Sequence, residues 1–365
     1  MKRPSGRSLR ISLKTERPPT PESMIPIAAI KCKNTKNIAI FASAVKDCPV
    51  SAVIVCMNRP DKLYPCLQSM LKHNRTAIDI WVVAYMFSAE NLAALRRDYP
   101  GIHVVESNGI RGFSENNNLA LRQIDSEFVF IVNDDTVQDM PVVDMLLDDF
   151  ERLPATVAAV SPRIVFPDGS VQTCGRAPWT VWRWMKHYLH FGDETRRTRW
   201  TMQDGLFRTW TLNGACFLAR TEAFRNAGWF DEAYAFTPED IALGHRFNEM
   251  GLTVYADSDA VITHYAGSTV SAMEQVIKPV RIAGSLHFYS RGSRVRRFLL
   301  ACYAWCIEAA RYSKYAILGC RSERDRIMKA SARNTMKAVF SGKTAKQIFI
   351  EGLESYSGSC PITSK

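Results

Sequence analysis

Four short apolar runs constrain this chain most: residues 50–56 (VSAVIVC), 78–84 (IDIWVVA), 102–106 (IHVVE) and 128–132 (FVFIV). The first and last are short and continuously apolar and read as buried strands of a parallel sheet, and the middle two read as further strands. The intervening segments have helical spacing. Residues 62–74 carry Leu63, Leu67, Met70 and Leu71 on one side, and 89–99 and 116–124 follow the same pattern. Strand and helix alternate four times, which predicts a parallel sheet wrapped by helices. Ligands of such sheets sit outside the carboxyl ends of the strands. The loops after residues 56, 84, 106 and 132 are where chemistry is expected.

The second half is less regular. Residues 163–175 read as a hairpin around Pro167-Asp168-Gly169, and 180–210, rich in Trp and Arg, as an irregular excursion. Strands are expected at 212–219 and 253–256, helices at 222–227 and 241–250, and a helical pattern runs from Ser293 to about Phe340. The expected organisation is a basic tail without structure (1–37), one α/β domain (45–290), a basic helical extension (291–346) and a flexible C-terminus (347–365).

Charge separates these regions. Residues 1–36 hold nine Lys/Arg against two Asp/Glu, and 291–346 hold fourteen against three. Residues 37–290 hold twenty-three against twenty-nine, so the formal net charge of +11 comes from the two ends. Basic ends suit nucleic acid or an anionic membrane surface. Only the tails suggest nucleic acid, so that partner is not expected. The ten cysteines are scattered with no C-x-x-C pair, which reads as reduced thiols in the cytoplasm rather than a disulfide framework or a zinc site. The first thirty residues lack a continuous apolar run and are broken by Pro18, Pro19, Pro21 and Pro26, unlike a secretory signal. No run of about 18 apolar residues predicts a transmembrane helix. Residues 298–307 (FLLACYAWCI), flanked by Arg294, Arg296 and Arg297 and then by Glu308, Arg311 and Lys314, have two readings. One is a helix lying in the interface on the cytoplasmic face of a membrane; the other is a helix packed on the α/β domain.

Asn133-Asp134-Asp135-Thr136 follows the fourth apolar run directly. Adjacent carboxylates at the mouth of a sheet repel unless solvent or a cation lies between them. A hard divalent ion takes one or two carboxylates together with substrate phosphates; a solvated Asp-rich turn is the alternative. Thr237-Pro238-Glu239-Asp240 opens the helix at 241–250. A carboxylate there serves either as a general base for an attacking hydroxyl or as part of a cap, with Thr237 at the N-cap and Pro238 at the first helical position. His264, between a strand-like run and a Gly-Ser loop, is a metal ligand or a structural imidazole. Asn108-Gly109, Gly112-Phe113 and Asn116-Asn117-Asn118 form a polar loop before a helix, whose backbone donors can bind an anion.

Together and in this order, these segments resemble the family 2 glycosyltransferases, especially the rhamnosyltransferase-like branch. The resemblance runs from about Val50 to Thr269. It rests on Asn58-Arg59-Pro60 after the first strand, 112–119 (GFSENNNL), Asn133-Asp134-Asp135-Thr136, 160–169 (VSPRIVFPDG), and above all 212–251. That last stretch looks like the family's G-A-x-x-x-x-R … G-x-F-D-E … E-D … R … G, with His264 and Ser268 where the family has H-x-x-x-S. The resemblance implies a GT-A fold: an α/β, mostly parallel sheet flanked by helices, here with a helical C-terminal extension. It implies that Asp135 holds Mg²⁺ or Mn²⁺ against the donor diphosphate, with His264 as a second metal contact. It makes Asp240 the catalytic base, with Glu239 beside it contacting the acceptor. Donor binding is implied for Cys56, Asn58, Arg59, Asn108, Gly112, Asn117, Asn118 and Asp134, and acceptor binding for Gly214, Ala215 and Glu239.

Three departures stand out. The family's V-D-N-x-S, whose Asp contacts the nucleobase, is replaced by Val83-Ala84-Tyr85-Met86-Phe87-Ser88. Ala242 stands where many members carry a second Asp, and the Q-x-x-R-W of processive synthases is absent. The expected function is inverting transfer of one hexose or deoxyhexose from a UDP- or dTDP-sugar to a glycan or lipid-linked glycan. Two rivals remain: a nucleotidyltransferase, which lacks a use for Glu239-Asp240, and a non-catalytic sugar-binding module on the same scaffold.

Overall fold

A computed structural model describes residues 48–189, 196–265 and 273–356. The basic tail at 1–37, Ser268 and the last residues from 357 lie outside the described residues. The first half follows the alternation expected: β1 (Val50–Met57), α1 (Pro60–His73), β2 (Ile78–Tyr85), α2 (Ala89–Asp98), β3 (His103–Ser107), α3 (Phe113–Leu121) and β4 (Phe128–Val132). α1 starts two residues earlier than the apolar spacing suggests because Pro60 occupies its first turn, where a missing N–H costs nothing. α3 also starts early, at Phe113. Glu115 reaches back to accept from the Gly112 N–H at 3.3 Å, and the Phe113 N–H donates to Ala235 O at 2.8 Å. A Cβ at Gly112 would lie 2.4 Å from the Ala235 backbone, so only glycine permits this approach.

The second half holds β5 (Thr136–Val137), α4 (Val142–Arg152), β6 (Val157–Val165), β7 (Val171–Thr173), α5 (Val181–Tyr188), β8 (Leu206–Thr209), β9 (Cys216–Arg220), α6 (Thr221–Asn226), α7 (Glu239–Glu249) and β10 (Thr253–His264). The stretch 180–210, expected to be irregular, thus contains a helix and a strand. β10 is three times the length expected. Its polar Asp257-Ser258-Asp259 sits where the pairing with β6 shifts register between Asp257 and Val261, and that bulge hid the strand's second half.

The strand order is β3-β2-β1-β4-β9-β6-β10-β5, with β7 on β6 and β8 on β10. β3, β2, β1 and β4 are parallel throughout, as are β6 and β10. The parallel run is interrupted by β9, which is antiparallel to both β4 and β6, so the sheet is mixed. One face buries Ile54, Leu67, Met70, Phe130 and Leu146 under α1, α2 and α4. The other buries Val53, Leu121, Phe217, Phe224 and Phe247 under α3, α6 and α7. Each such side chain contributes about 1.5–3 kcal/mol relative to exposure.

After the sheet come α8 (Glu274–Ser290), α9 (Arg294–Ile317), α10 (Glu323–Val339) and α11 (Ala345–Glu354). The sequence reading gave no helix at 274–290, because Pro279 and Gly284 lie inside it. A Cβ at Gly284 would lie 2.6 Å from Thr237 O, so this glycine lets α8 lie against the loop before α7. The expected flexible C-terminus is a helix over Ala345–Glu354, with Ile348, Phe349 and Leu353 buried. Thr344 and Gln347 form its capping box. The extension is not appended at 291. α8 is buried along most of its length, and Lys278 on it pairs with Glu308 on α9 at 2.8 Å. Glu308, fully buried, also accepts from Arg311 and from the Tyr188 hydroxyl, each at 2.5 Å.

Candidate active site

The carboxyl ends of β1 to β4 open onto a cavity of about 170 Å³. Val55, Met57, Arg59, Tyr85, Arg111 and Asp134 line one side. Phe236, Met273, Ile277 and Phe349 line the other, and Gly112, Phe113 and Asn116 the end of α3. Arg111 is set by its backbone N–H to the Tyr85 hydroxyl at 3.3 Å and by Nη1 to Ser107 Oγ at 3.1 Å. Asn116 Oδ1 accepts from the same Ser107 hydroxyl at 2.7 Å.

Beside the cavity, the loop after β4 folds back as β5, whose Thr136 and Val137 pair with His264 and Thr263. This hairpin brings His264 Nε2 to 3.1 Å from Asp135 Oδ1 and 3.4 Å from Asn133 Nδ2. Nδ1 lies 2.9 Å from Gln172 Oε1, a contact in which the ring N–H donates to the amide oxygen. Both ring nitrogens are thus engaged, Nε2 facing the Asp135 carboxylate and Nδ1 the Gln172 amide. Burial works to raise Asp135, but the His264 hydrogen bond and charge, with Arg59, outweigh it and hold the carboxyl below its usual range. Burial, then the Asp135 charge, push neighbouring Asp134 up to about 6. Among the described residues no cluster of three or more His, Cys, Asp or Glu side chains forms a cage. One carboxylate and one imidazole beside an open cavity nonetheless fit a divalent ion that takes its other ligands from phosphate and water.

The second pair of carboxylates joins the loop after β4 through a single turn. Ala215 O accepts from the Asn133 N–H at 2.9 Å, and the next residue back, Gly214, donates its N–H to Asp240 Oδ2 at 3.1 Å. The same oxygen accepts from Arg176 Nη1 at 2.6 Å, and Arg176 also donates to Leu212 O at 3.2 Å. Glu239 is buried, and its Oε2 has no hydrogen-bond partner among the described residues. Burial and then the Asp240 charge push its carboxyl well above the usual range. The capping alternative for this segment does not hold. The helix starts at Glu239 without a side-chain cap hydrogen bond, and Thr237 has φ 38°, not the extended conformation of an N-cap.

Of the expected donor contacts, Arg59, Gly112 and Asp134 line the cavity. Asn58, Asn117 and Asn118 are engaged elsewhere. Asn58 Oδ1 accepts from Ser88 N and Asn91 Nδ2, fixing the start of α2. Asn117 bonds to Phe113 O within α3, and Asn118 exchanges bonds with the Phe230 backbone, tying α3 to the loop before α7. Cys56 is buried behind Asp134 and donates to Arg59 O; Asn108 is exposed. Of the acceptor residues, Gly214 touches both carboxylate side chains, and the Ala215 N–H is taken by Asn213 Oδ1. Sequence reasoning missed Arg176, Arg111, Gln172 and the aromatic wall of Phe236 and Phe349. Arg111 abuts the loop motif and was within reach of inference; Arg176 lies in no recognisable pattern.

With this geometry in hand, the sequence model described as "Glycosyltransferase like family 2" matches residues 48–278. The chain belongs to that family. Its mixed sheet, flanked by helices and followed by a helical region, has the α/β architecture expected from the sequence. Two curated relatives from Mycobacterium tuberculosis strains, each named N-acetylglucosaminyl-diphospho-decaprenol L-rhamnosyltransferase, are 32% identical over 48% of this chain. The chain spans 63% of their length. The O-antigen biosynthesis protein RfbC of Myxococcus xanthus is 27% identical over 60% of this chain and 17% of its own. Among solved structures, a mannosyltransferase of Pyrobaculum calidifontis in complex with GDP-Man and Mn²⁺ is 14% identical. It aligns over 87% of this chain and 93% of its own, with a TM-score of 0.47.

Proposed function

We propose that this family 2 protein is an inverting glycosyltransferase, moving one hexose or deoxyhexose from a UDP- or dTDP-sugar to a glycan or lipid-linked glycan. The observation that carries the reading is the turn Gly214–Ala215, which bonds to Asp240 on one side and to the Asp134–Asp135 loop on the other. A general base and an anion-handling group thereby share one mouth. The mycobacterial relatives' name supports a deoxyhexose donor and a diphospho-polyprenol GlcNAc acceptor.

In this mechanism the donor diphosphate lies against Arg59, which lines the cavity and whose guanidinium favours anions. Asp135 and His264 would hold a divalent ion, which when bound neutralises charge on the departing diphosphate. Arg176 and the Gly214 N–H fix the Asp240 carboxylate. Asp240 takes the proton from the acceptor hydroxyl as its oxygen bonds to the anomeric carbon and the carbon–phosphate-oxygen bond breaks. Attack opposite the leaving group inverts the anomeric centre. Glu239, protonated in its buried site, donates to an acceptor oxygen.

A membrane surface is the proposed meeting place of enzyme and lipid-linked acceptor. Val295, Phe298 and Leu299 of α9 are 71%, 59% and 61% exposed beside Arg294, Arg296 and Arg297. No helix among the described residues is long and apolar enough to cross a membrane. The test of function is a nucleotide-sugar panel offered with a lipid-diphosphate-GlcNAc acceptor, with and without chelator. Transfer lost with chelator supports the reading. Donor binding without transfer to any acceptor would favour the non-catalytic module.

A further inference from the structure

The family match ends at residue 278, yet one wall of the donor cavity comes from beyond it. Phe349, on α11, lines that cavity and is 1% exposed. Its ring meets Phe236 edge-on, with centroids 4.9 Å apart at 75°. It clusters with Met57, which ends β1, and with Met86 and Ile110, which follow β2 and β3. That places it at the end of the cavity away from Asp135 and His264, which follow β4 and end β10. α11 is also fastened to the loop that opens α3. Lys346 Nζ lies 2.5 Å from Glu115 Oε1, and the other oxygen of Glu115 accepts the Gly112 N–H. At this same end, Ala84 stands where the family's sequence pattern carries a carboxylate.

We infer that Phe349 is a positioning residue for donor specificity: its buried ring holds Phe236, which is only partly buried and lines the same cavity, as the apolar wall on which the base of the nucleoside diphosphate donor packs. Apolar contact from this wall, together with the Arg111 guanidinium, replaces recognition by a carboxylate. Such a wall rewards a flat base with carbonyl edges, since Arg111 only donates. The inference rests on the donor cavity proposed above, because a diphosphate held near Asp135 points its base toward α11.

The test measures binding of UDP, dTDP and inorganic pyrophosphate, each with Mg²⁺, to the full chain and to Phe349→Ala, by calorimetry. Loss of the support that holds Phe236 against the base weakens nucleotide binding by about tenfold, the order for base–aromatic stacking, while pyrophosphate affinity stays unchanged. Phe349→Ala also opens a cavity in the packing of α11. Phe349→Leu, which keeps most of the volume and removes the ring, carries the same comparison on a protein with a near-normal melting temperature. Equal nucleotide affinity in variant and parent overturns the inference, as does an equal loss for pyrophosphate, which makes α11 a brace. If the parent chain binds neither nucleotide, the donor-cavity reading itself fails, an outcome separate from the other two.

Discussion

Arg176 is where the account is most exposed at the scale of single residues. Its bond to Asp240 Oδ2 is 2.6 Å long, and the same Nη1 also donates to Leu212 O at 3.2 Å. Acting as a positioning residue, it should govern turnover more than donor binding. Arg176→Met is expected to lower kcat by about 10–100-fold, the order for a misplaced catalytic group, while leaving donor KM within about twofold. Arg176→Lys should recover part of the loss. Steady-state kinetics check this; a variant with normal kcat and only a lower melting temperature makes Arg176 a structural brace.

A second residue-scale prediction concerns stability. Asp149 of α4 is buried with Oδ2 unpartnered, and burial, then the Asp257 charge, push it up to about 7. Its folded-state pKa lies above the unfolded value of about 4, so the native state keeps a proton that the unfolded chain loses. The stabilisation is full below about pH 4 and is lost as pH rises through about 7. Asp149→Asn, neutral at every pH, should be more stable than the parent by about 1–3 kcal/mol at pH 8 and should show a flatter profile from pH 4 to 8. Parallel melting curves across that range would contradict it.

At the scale of elements, α9 packs one stripe on the protein and presents a second, apolar stripe to solvent. Leu300, Ala301, Ala304 and Glu308 face inward and are buried, so the helix packs on the body of the protein. Its other stripe, Val295, Phe298, Leu299 and Trp305, is exposed. Arginines near an anionic surface contribute about 1 kcal/mol each, and inserted apolar groups add a part that salt does not screen. The triple change of Val295, Phe298 and Leu299 to Ser, which leaves the buried stripe intact, should abolish the salt-resistant share of binding to acidic vesicles. Co-sedimentation at low and high salt measures it. Unchanged binding, or equal binding to neutral vesicles, would remove the membrane role. This variant is preferred to truncation at 290, because α8 packs against α9, α10 and α11 and would be stripped bare.

What was legible at this scale follows from how each element buries its residues. β1, β2 and β4 are buried nearly throughout, and continuous apolar runs report such strands faithfully. β10 was half hidden by its polar bulge, α8 by its internal Pro279 and Gly284, and α5 by its place in a Trp- and Arg-rich stretch. α11 did announce itself, through Thr344-Ala345-Lys346-Gln347 ahead of Ile348 and Phe349. Its neighbours drew the eye to basic charge instead. In the site, Asp134, Asp135, Glu239, Asp240 and His264 were visible because their chemistry is local to short motifs. Asn117 and Asn118, expected at the donor, bond instead to Phe113 O and to the Phe230 backbone, since a motif gives the residue type and not the direction in which its side chain turns. Arg176 was invisible because its role depends only on the fold bringing it to Asp240.

For the whole molecule, the central claim is that the carboxylate pair of α7 and the Asp135–His264 pair, joined across Gly214–Ala215, perform one displacement. The sheet supplies the mouth, and α8 and α11 add Ile277 and Phe349 to the lining of the cavity. The most direct measurement follows transfer from an anomerically defined nucleotide-sugar by the full chain and by Asp240→Asn, reading rate and product configuration together by NMR. The account predicts an inverted product from the parent. It predicts that the variant binds donor with unchanged affinity and transfers about 10²–10⁴-fold more slowly. A product of retained configuration, or an Asp240→Asn enzyme turning over at the parental rate, would contradict it.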